Sequence, residues 1–302
     1  LLFITIWPLF ALICLGFGLV RFGFPDPGFW AAAEKINYFL LFPALLLSSL
    51  ANAPVRDPDV LRLGGAAVAT IVLAAAGLSL ARRFHPVPAA RFGPVLQGAV
   101  RFNTYLGLAI LAMLAGTPGI ERAALYLAVA VPLVNVLSII ALTDAGSMRS
   151  PGILLRKVLG NPLILACLAG IALALSDVGL PFGTGRFLEL LAQGSLPLGL
   201  LCVGAALQPA ALRLDMLTLA GIGALRLLAM PVLAALVARA FGLGGTEALV
   251  LVVFSAIPTA PTAYVLTRQL QGDGTLMAGI VTSQTLAAVA TIPLVLWLLQ
   301  AM

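Results

Sequence analysis

Much of this chain's apolar text is written twice. Pro8, Gly16 and Pro43 recur as Pro162, Gly170 and Pro197, each pair 154 positions apart. Pro8-Leu9 opens an apolar run reaching Cys14, and Pro162-Leu163 opens one reaching Cys167. Val131-Pro132-Leu133-Val134 is echoed by Ile292-Pro293-Leu294-Val295 at a spacing of 161. A duplicated hydrophobic unit restricts the chain to folds whose halves pack as related copies. The composition then decides the solvent. Apolar residues make up 62% of the 302 and charged residues 9%, where a soluble domain carries about a quarter charged. Such a chain needs a lipid exterior.

A helix that spans a bilayer needs roughly 20 mostly apolar residues. Ten runs qualify, at about 1–20, 31–51, 61–81, 91–115, 120–142, 161–177, 187–208, 216–241, 246–270 and 275–301. The breaks between them hold turn residues, as in Phe24-Pro25-Asp26-Pro27-Gly28 and Gly242-Leu243-Gly244-Gly245. The opening run Leu1–Val20 has no basic flank before it and no cleavage pattern after it. Its duplicate is internal, so it is expected to be a retained span rather than a signal peptide. The expected organisation is a single domain over 1–302, with repeat one at 1–142, a cytoplasmic linker at 143–158 and repeat two at 159–302. Five spans per half is an odd number, so the second half must enter the membrane from the opposite side. The expectation is an all-α integral membrane protein of ten transmembrane helices in two inverted five-helix repeats.

The net charge of +6 comes from 17 basic and 11 acidic residues. They fall in short breaks, which suits membrane orientation and gives no reason to expect nucleic acid. With both termini outside the cytoplasm, ten Lys and Arg lie in cytoplasmic breaks against five in outer ones, as the positive-inside bias favours. Cys14, Cys167 and Cys202 lie in apolar runs and are expected as buried thiols. The single His85 has no cluster of carboxylates or thiols beside it, so no metal site is expected, and no cofactor motif is present. Phosphate loops, His-Glu-x-x-His and Gly-x-Ser-x-Gly elbows are missing from the sequence, which argues against an enzyme.

Two runs carry polar groups where hydrocarbon should be. The fourth places Arg101, Asn103, Thr104 and Tyr105 near the middle of an apolar stretch. The ninth reads Pro258-Thr259-Ala260-Pro261-Thr262-Ala263-Tyr264, and two prolines three apart remove two backbone donors. Broken helices at corresponding places in two halves are the best sequence pointer to a transport site. Each break presents a helix N-terminus with partial positive charge, and Arg101 adds a guanidinium, so the expected ligand is an anion. The expected binding residues are Arg101, Asn103, Thr104, Tyr105, Pro258, Thr259, Pro261, Thr262 and Tyr264, with Asn135 and Gln284 as further polar candidates. No acidic residue lies clearly at mid-membrane, which disfavours a proton relay and cation substrates. A sodium site of carbonyls, Asn, Gln and Ser stays open. Arg226 is expected to snorkel to an interface in a structural role.

Several motifs resemble the auxin efflux carrier family, in its bacterial branch of organic-anion permeases. They are Phe102-Asn103-Thr104-Tyr105-Leu106-Gly107-Leu108, Val131-Pro132-Leu133-Val134-Asn135-Val136-Leu137-Ser138, Leu159-Gly160-Asn161-Pro162-Leu163, Leu200-Leu201-Cys202-Val203-Gly204-Ala205-Ala206-Leu207 and Pro293-Leu294. The resemblance covers nearly the whole chain. It implies a fold shared with bile acid/sodium symporters, in which helices four and nine are broken and cross near the substrate. It also implies a scaffold part and a transport part in relative motion, carboxylate substrates such as malate or malonate, homodimers and a bacterial inner membrane. Asn103 matches the family's crossover Asn, and Pro258 and Pro261 occupy the second crossover. One departure stands out: many members have a proline in the first crossover, and here none lies between Pro94 and Pro118. The expected function is alternating-access transport of a small organic anion. A sodium-coupled symporter of the bile-acid type, and a membrane sensor or enzyme without transport, are the alternatives.

Overall fold

The computed structural model describes residues 2–51, 53, 55–143, 160–176, 179–180 and 183–300. Among these residues every regular element is helical. The expected linker at 143–158 lies, apart from Thr143, outside them. Seven helical stretches are long and apolar enough to cross a membrane: Ile4–Arg21, Gly28–Ala51, Pro58–Phe84, Ala89–Leu142, Thr184–Ala205, Met216–Ala240 and Gly274–Leu299. Pro162–Ser176 and Gly245–Ala256 are apolar but shorter.

In chain order, α1 is Leu2–Arg21. Then α2 (Pro27–Ile36) passes through a π-helical turn, Asn37–Leu41, into α3 (Phe42–Ala51). Pro43 accounts for the widened turn, because it cannot donate to the carbonyl four residues back. α4 is Pro58–Phe84, started by Asp57, whose side chain accepts from the Asp59 amide. α5 is Ala89–Val100 and α6 is Thr104–Leu142. Gly116, at φ 58° and ψ −145°, divides α6 into two runs; only glycine adopts that backbone readily. The second half begins with α7 (Pro162–Ser176) and α8 (Thr184–Ala205). α9 (Met216–Ala224) joins α10 (Met230–Ala240) through a second π turn, Leu225–Ala229, again just before a proline, Pro231. α11 (Gly245–Ala256), α12 (Thr262–Gln269) and α13 (Gly274–Gln300) complete the chain.

Two helix contacts follow the duplication seen in the sequence. α1 packs on α8, and α3 packs on α7. A Cβ on Gly16 of α1 would strike the Leu201 carbonyl of α8. A Cβ on Gly170 of α7 would meet Leu50 and the Leu47 carbonyl of α3. Gly16 and Gly170 are duplicates, and so, at the same spacing, are Leu47 and Leu201. The buried core runs along the first turns of α6, through Leu106, Leu108 and Ile110, to Phe254 of α11 and Ile280 of α13. Cys167 and Cys202 are buried as expected, whereas Cys14 is exposed on α1; a thiol is apolar enough to face lipid.

A candidate anion site at two interrupted helices

The absence of a proline does not keep the first break closed. α5 ends at Val100, Arg101 is extended (φ −79°, ψ 151°), and α6 starts at Thr104. Asn103 supplies the reason. Its side-chain oxygen caps α6 by accepting from the Leu106 amide at 3.2 Å, as Asn at an N-cap does. The second break, 257–261, lies against the first. The Asn103 backbone N–H donates to the Pro258 carbonyl at 2.8 Å. Phe102 packs edge-on to Phe254, ring centres 5.2 Å apart, and Phe254 stacks on Tyr126 at 4.5 Å.

Thr259 and Gln284 hold the two breaks together. The Thr259 hydroxyl donates to the Gly98 carbonyl at 3.0 Å. The Gln284 amide nitrogen donates to the same carbonyl at 2.9 Å, while its oxygen accepts from the Thr259 amide at 2.9 Å. Both side chains are fully or almost fully buried. Backbone freed by the broken helices is thereby satisfied without water, as a membrane interior requires.

A cavity of about 560 Å³ opens on the other side of the breaks. Of the residues singled out in the sequence, Arg101, Asn103, Thr104, Tyr105, Asn135, Pro261 and Thr262 line it. Pro258, Thr259 and Gln284 do not; they sit in the contact between the breaks. Tyr264 lies outside the lining as well, with its ring near Gly274. Lining residues outside the expected binding set are Glu34, Lys35, Tyr38, Asn161, Cys202 and Gln269. Glu34 and Tyr38 are four apart, on one face of the helix, and that spacing was the signal available.

The lining is positively polarised on balance, since Lys35 and Arg101 stand there with the one carboxylate of Glu34 among the described residues. The N-termini of α6 and α12 both begin at it, with Thr104 and Thr262 in the wall. Among the described residues Arg101 has no carboxylate within ion-pair distance; its guanidinium donates to the Gln97 side-chain oxygen at 3.4 Å. The Asn103 side-chain nitrogen is buried and has no hydrogen-bond partner. A buried donor left unpaired is costly, and this one belongs to a residue on the cavity wall. Arg101, the Asn103 amide and two helix N-termini therefore offer donors to one space, and the chemistry they suit is that of an anion.

The expected snorkelling of Arg226 is not what the fold gives. Arg226 is 1% exposed and its guanidinium is turned inward, onto backbone carbonyls. The π turn Leu225–Ala229 carries it beside both breaks, so a guanidinium has partners within reach and no need of an interface.

Comparison with known proteins gives the family. A family profile described as "Membrane transport protein" matches residues 147–297. A protein of Rhizobium meliloti (strain 1021) named "Putative malonate transporter" is 27% identical over 311 residues, covering 97% of this chain and 94% of that protein. The chain is a multi-pass membrane protein and a transporter rather than an enzyme. It belongs to the membrane transport protein family, the auxin efflux carriers.

Proposed function

We propose that the whole chain, 1–302, is one secondary carrier that moves a small organic anion across a bacterial inner membrane by alternating access. The substrate is a mono- or dicarboxylate of the size of malate or malonate. The observation that carries this reading is the pairing of Arg101 with the unpartnered Asn103 amide on one cavity wall between two helix N-termini. A volume of about 560 Å³ lies within the usual range of small-molecule sites, roughly 300–1,000 Å³. The name of the Rhizobium relative points to the same class of substrate.

The carrier has ten crossings in this reading. The stretch Ala89–Leu142 counts as two, turned at Gly116; α7 is a short span; α11 and α12 cross together as one broken span. The matched contacts of Gly16 with Leu201 and Gly170 with Leu47 support two repeats related by a twofold axis, and an odd number of spans in each half would lay that axis in the membrane plane. Both termini lie outside the cytoplasm, and the cavity faces inward, towards the breaks at 22–26 and 270–273. Homodimers follow from the family resemblance.

In the proposed mechanism, Arg101 donates paired hydrogen bonds to a carboxylate and the Asn103 side-chain amide donates a further one. Thr104 and Thr262 bind remaining oxygens, and Tyr105 walls the space. The test is uptake of labelled malonate and malate into proteoliposomes by wild type and Arg101→Gln. Wild type should accumulate label, and the variant should lose uptake while its thermal unfolding stays unchanged. Equal uptake by the two removes Arg101 from the site; no uptake of any carboxylate by wild type removes the reading.

A further inference from the structure

Helix C-termini are the negative ends of their dipoles, and where helices break inside a carrier their carbonyls are the groups that can ligate a coupling cation. At this crossing a side chain reaches them first. The Arg226 Nε donates to the Ile257 carbonyl at 2.8 Å, Nη1 to Ala99 at 2.9 Å and Nη2 to Phe254 at 2.5 Å. All three guanidinium nitrogens are used, and the three carbonyls come from the ends of both α5 and α11. Among the described residues no carboxylate pairs with Arg226. The neighbouring Gly98 carbonyl is taken by Gln284 and Thr259, and the Pro258 carbonyl by the backbone N–H of Asn103. The two polarities of the broken helices are thus treated differently. Their amide ends begin at the cavity, and these carbonyls are closed by the protein's own donors.

We infer that Arg226 is a tethered cation standing in the place of a coupling ion, so that this crossing works without sodium. The inference deepens the anion-carrier reading and rests on it. A guanidinium fixed by three carbonyls balances the negative helix ends in every state of the transport cycle. A sodium ion at the same place would come and go. The cavity anion then meets a crossing whose positive charge is permanent, and the energy of a sodium gradient has no carbonyl site there through which to act.

Wild-type protein in detergent should unfold at the same temperature in sodium, potassium and choline chloride at equal ionic strength, and carboxylate uptake should be equal with a sodium or a choline gradient. Arg226→Ala should unfold at a lower temperature, and methylguanidinium should raise its midpoint over choline by roughly 2–4 °C, with no such rise in wild type. A purely space-filling Arg226 would give no selective rescue, and that result overturns the inference. So does stabilisation of wild type by sodium over choline, or uptake that needs sodium. If Arg226→Ala cannot be isolated, the wild-type sodium comparison still decides. Absence of carboxylate uptake with every cation would defeat the anion-carrier reading instead, leaving the unfolding comparisons to judge Arg226.

Discussion

Asn103 performs two tasks with two ends of one amide. Its oxygen starts α6 and its nitrogen has no partner. Asn103→Ser separates the tasks, since serine caps a helix about as well and brings no amide nitrogen. Stability should change by less than about 1 kcal/mol. Carboxylate affinity should fall roughly 10- to 100-fold, the worth of a hydrogen bond to a charged group. Isothermal titration beside thermal unfolding would check both; unchanged affinity would show that the nitrogen does not meet the anion. The sequence made Asn103 and Arg101 conspicuous because each is expensive in hydrocarbon. It singled out Thr259 as well, and Gln284 as a further candidate, yet they serve the backbone and not the cavity. Cost marks a buried polar residue without saying whether its partner is a ligand or a carbonyl. Only the spatial neighbours of Gly98 decide that.

At the scale of elements, the apolar runs translated closely into helices, because a segment in lipid must satisfy its own backbone. The π turns at Asn37–Leu41 and Leu225–Ala229 were not legible. A proline announces a disturbed turn but does not say whether the helix kinks or widens. The glycines were more informative. Gly16→Val and Gly170→Val should each destabilise the protein by about 1–3 kcal/mol, the usual range for overpacking. The two losses should be alike, since each glycine admits the duplicate of the other's neighbour. Gly18→Ala is the control. Its Cβ meets nothing within 4 Å, and alanine is the better helix former by up to about 1 kcal/mol. Thermal unfolding in detergent would test all three; a tolerated valine at either packed glycine would contradict the close approach.

For the whole molecule, the proposal fixes which face the cavity meets. Lys35 and Gln269 are exposed residues of its lining. In a background with Cys14, Cys167 and Cys202 replaced, Lys35→Cys and Gln269→Cys should react with a membrane-impermeant maleimide from the cytoplasmic face. Malonate should slow the reaction. Labelling from the outer face alone would reverse the orientation. The sequence could suggest this only through its Lys and Arg bias, since the cavity is assembled from segments that are distant along the chain. Its wall also has two owners. Cys202 comes from α8, in the packed group of α1, α3, α7 and α8, and Tyr38 from the π turn that leads into α3, whereas Arg101 and Thr262 come from the interrupted pair. In the proposed carrier, a guest long enough to touch both owners would act as a rivet between them, and a shorter one would leave them free to slide. Chain length of the diacid should therefore govern turnover separately from how tightly it is held.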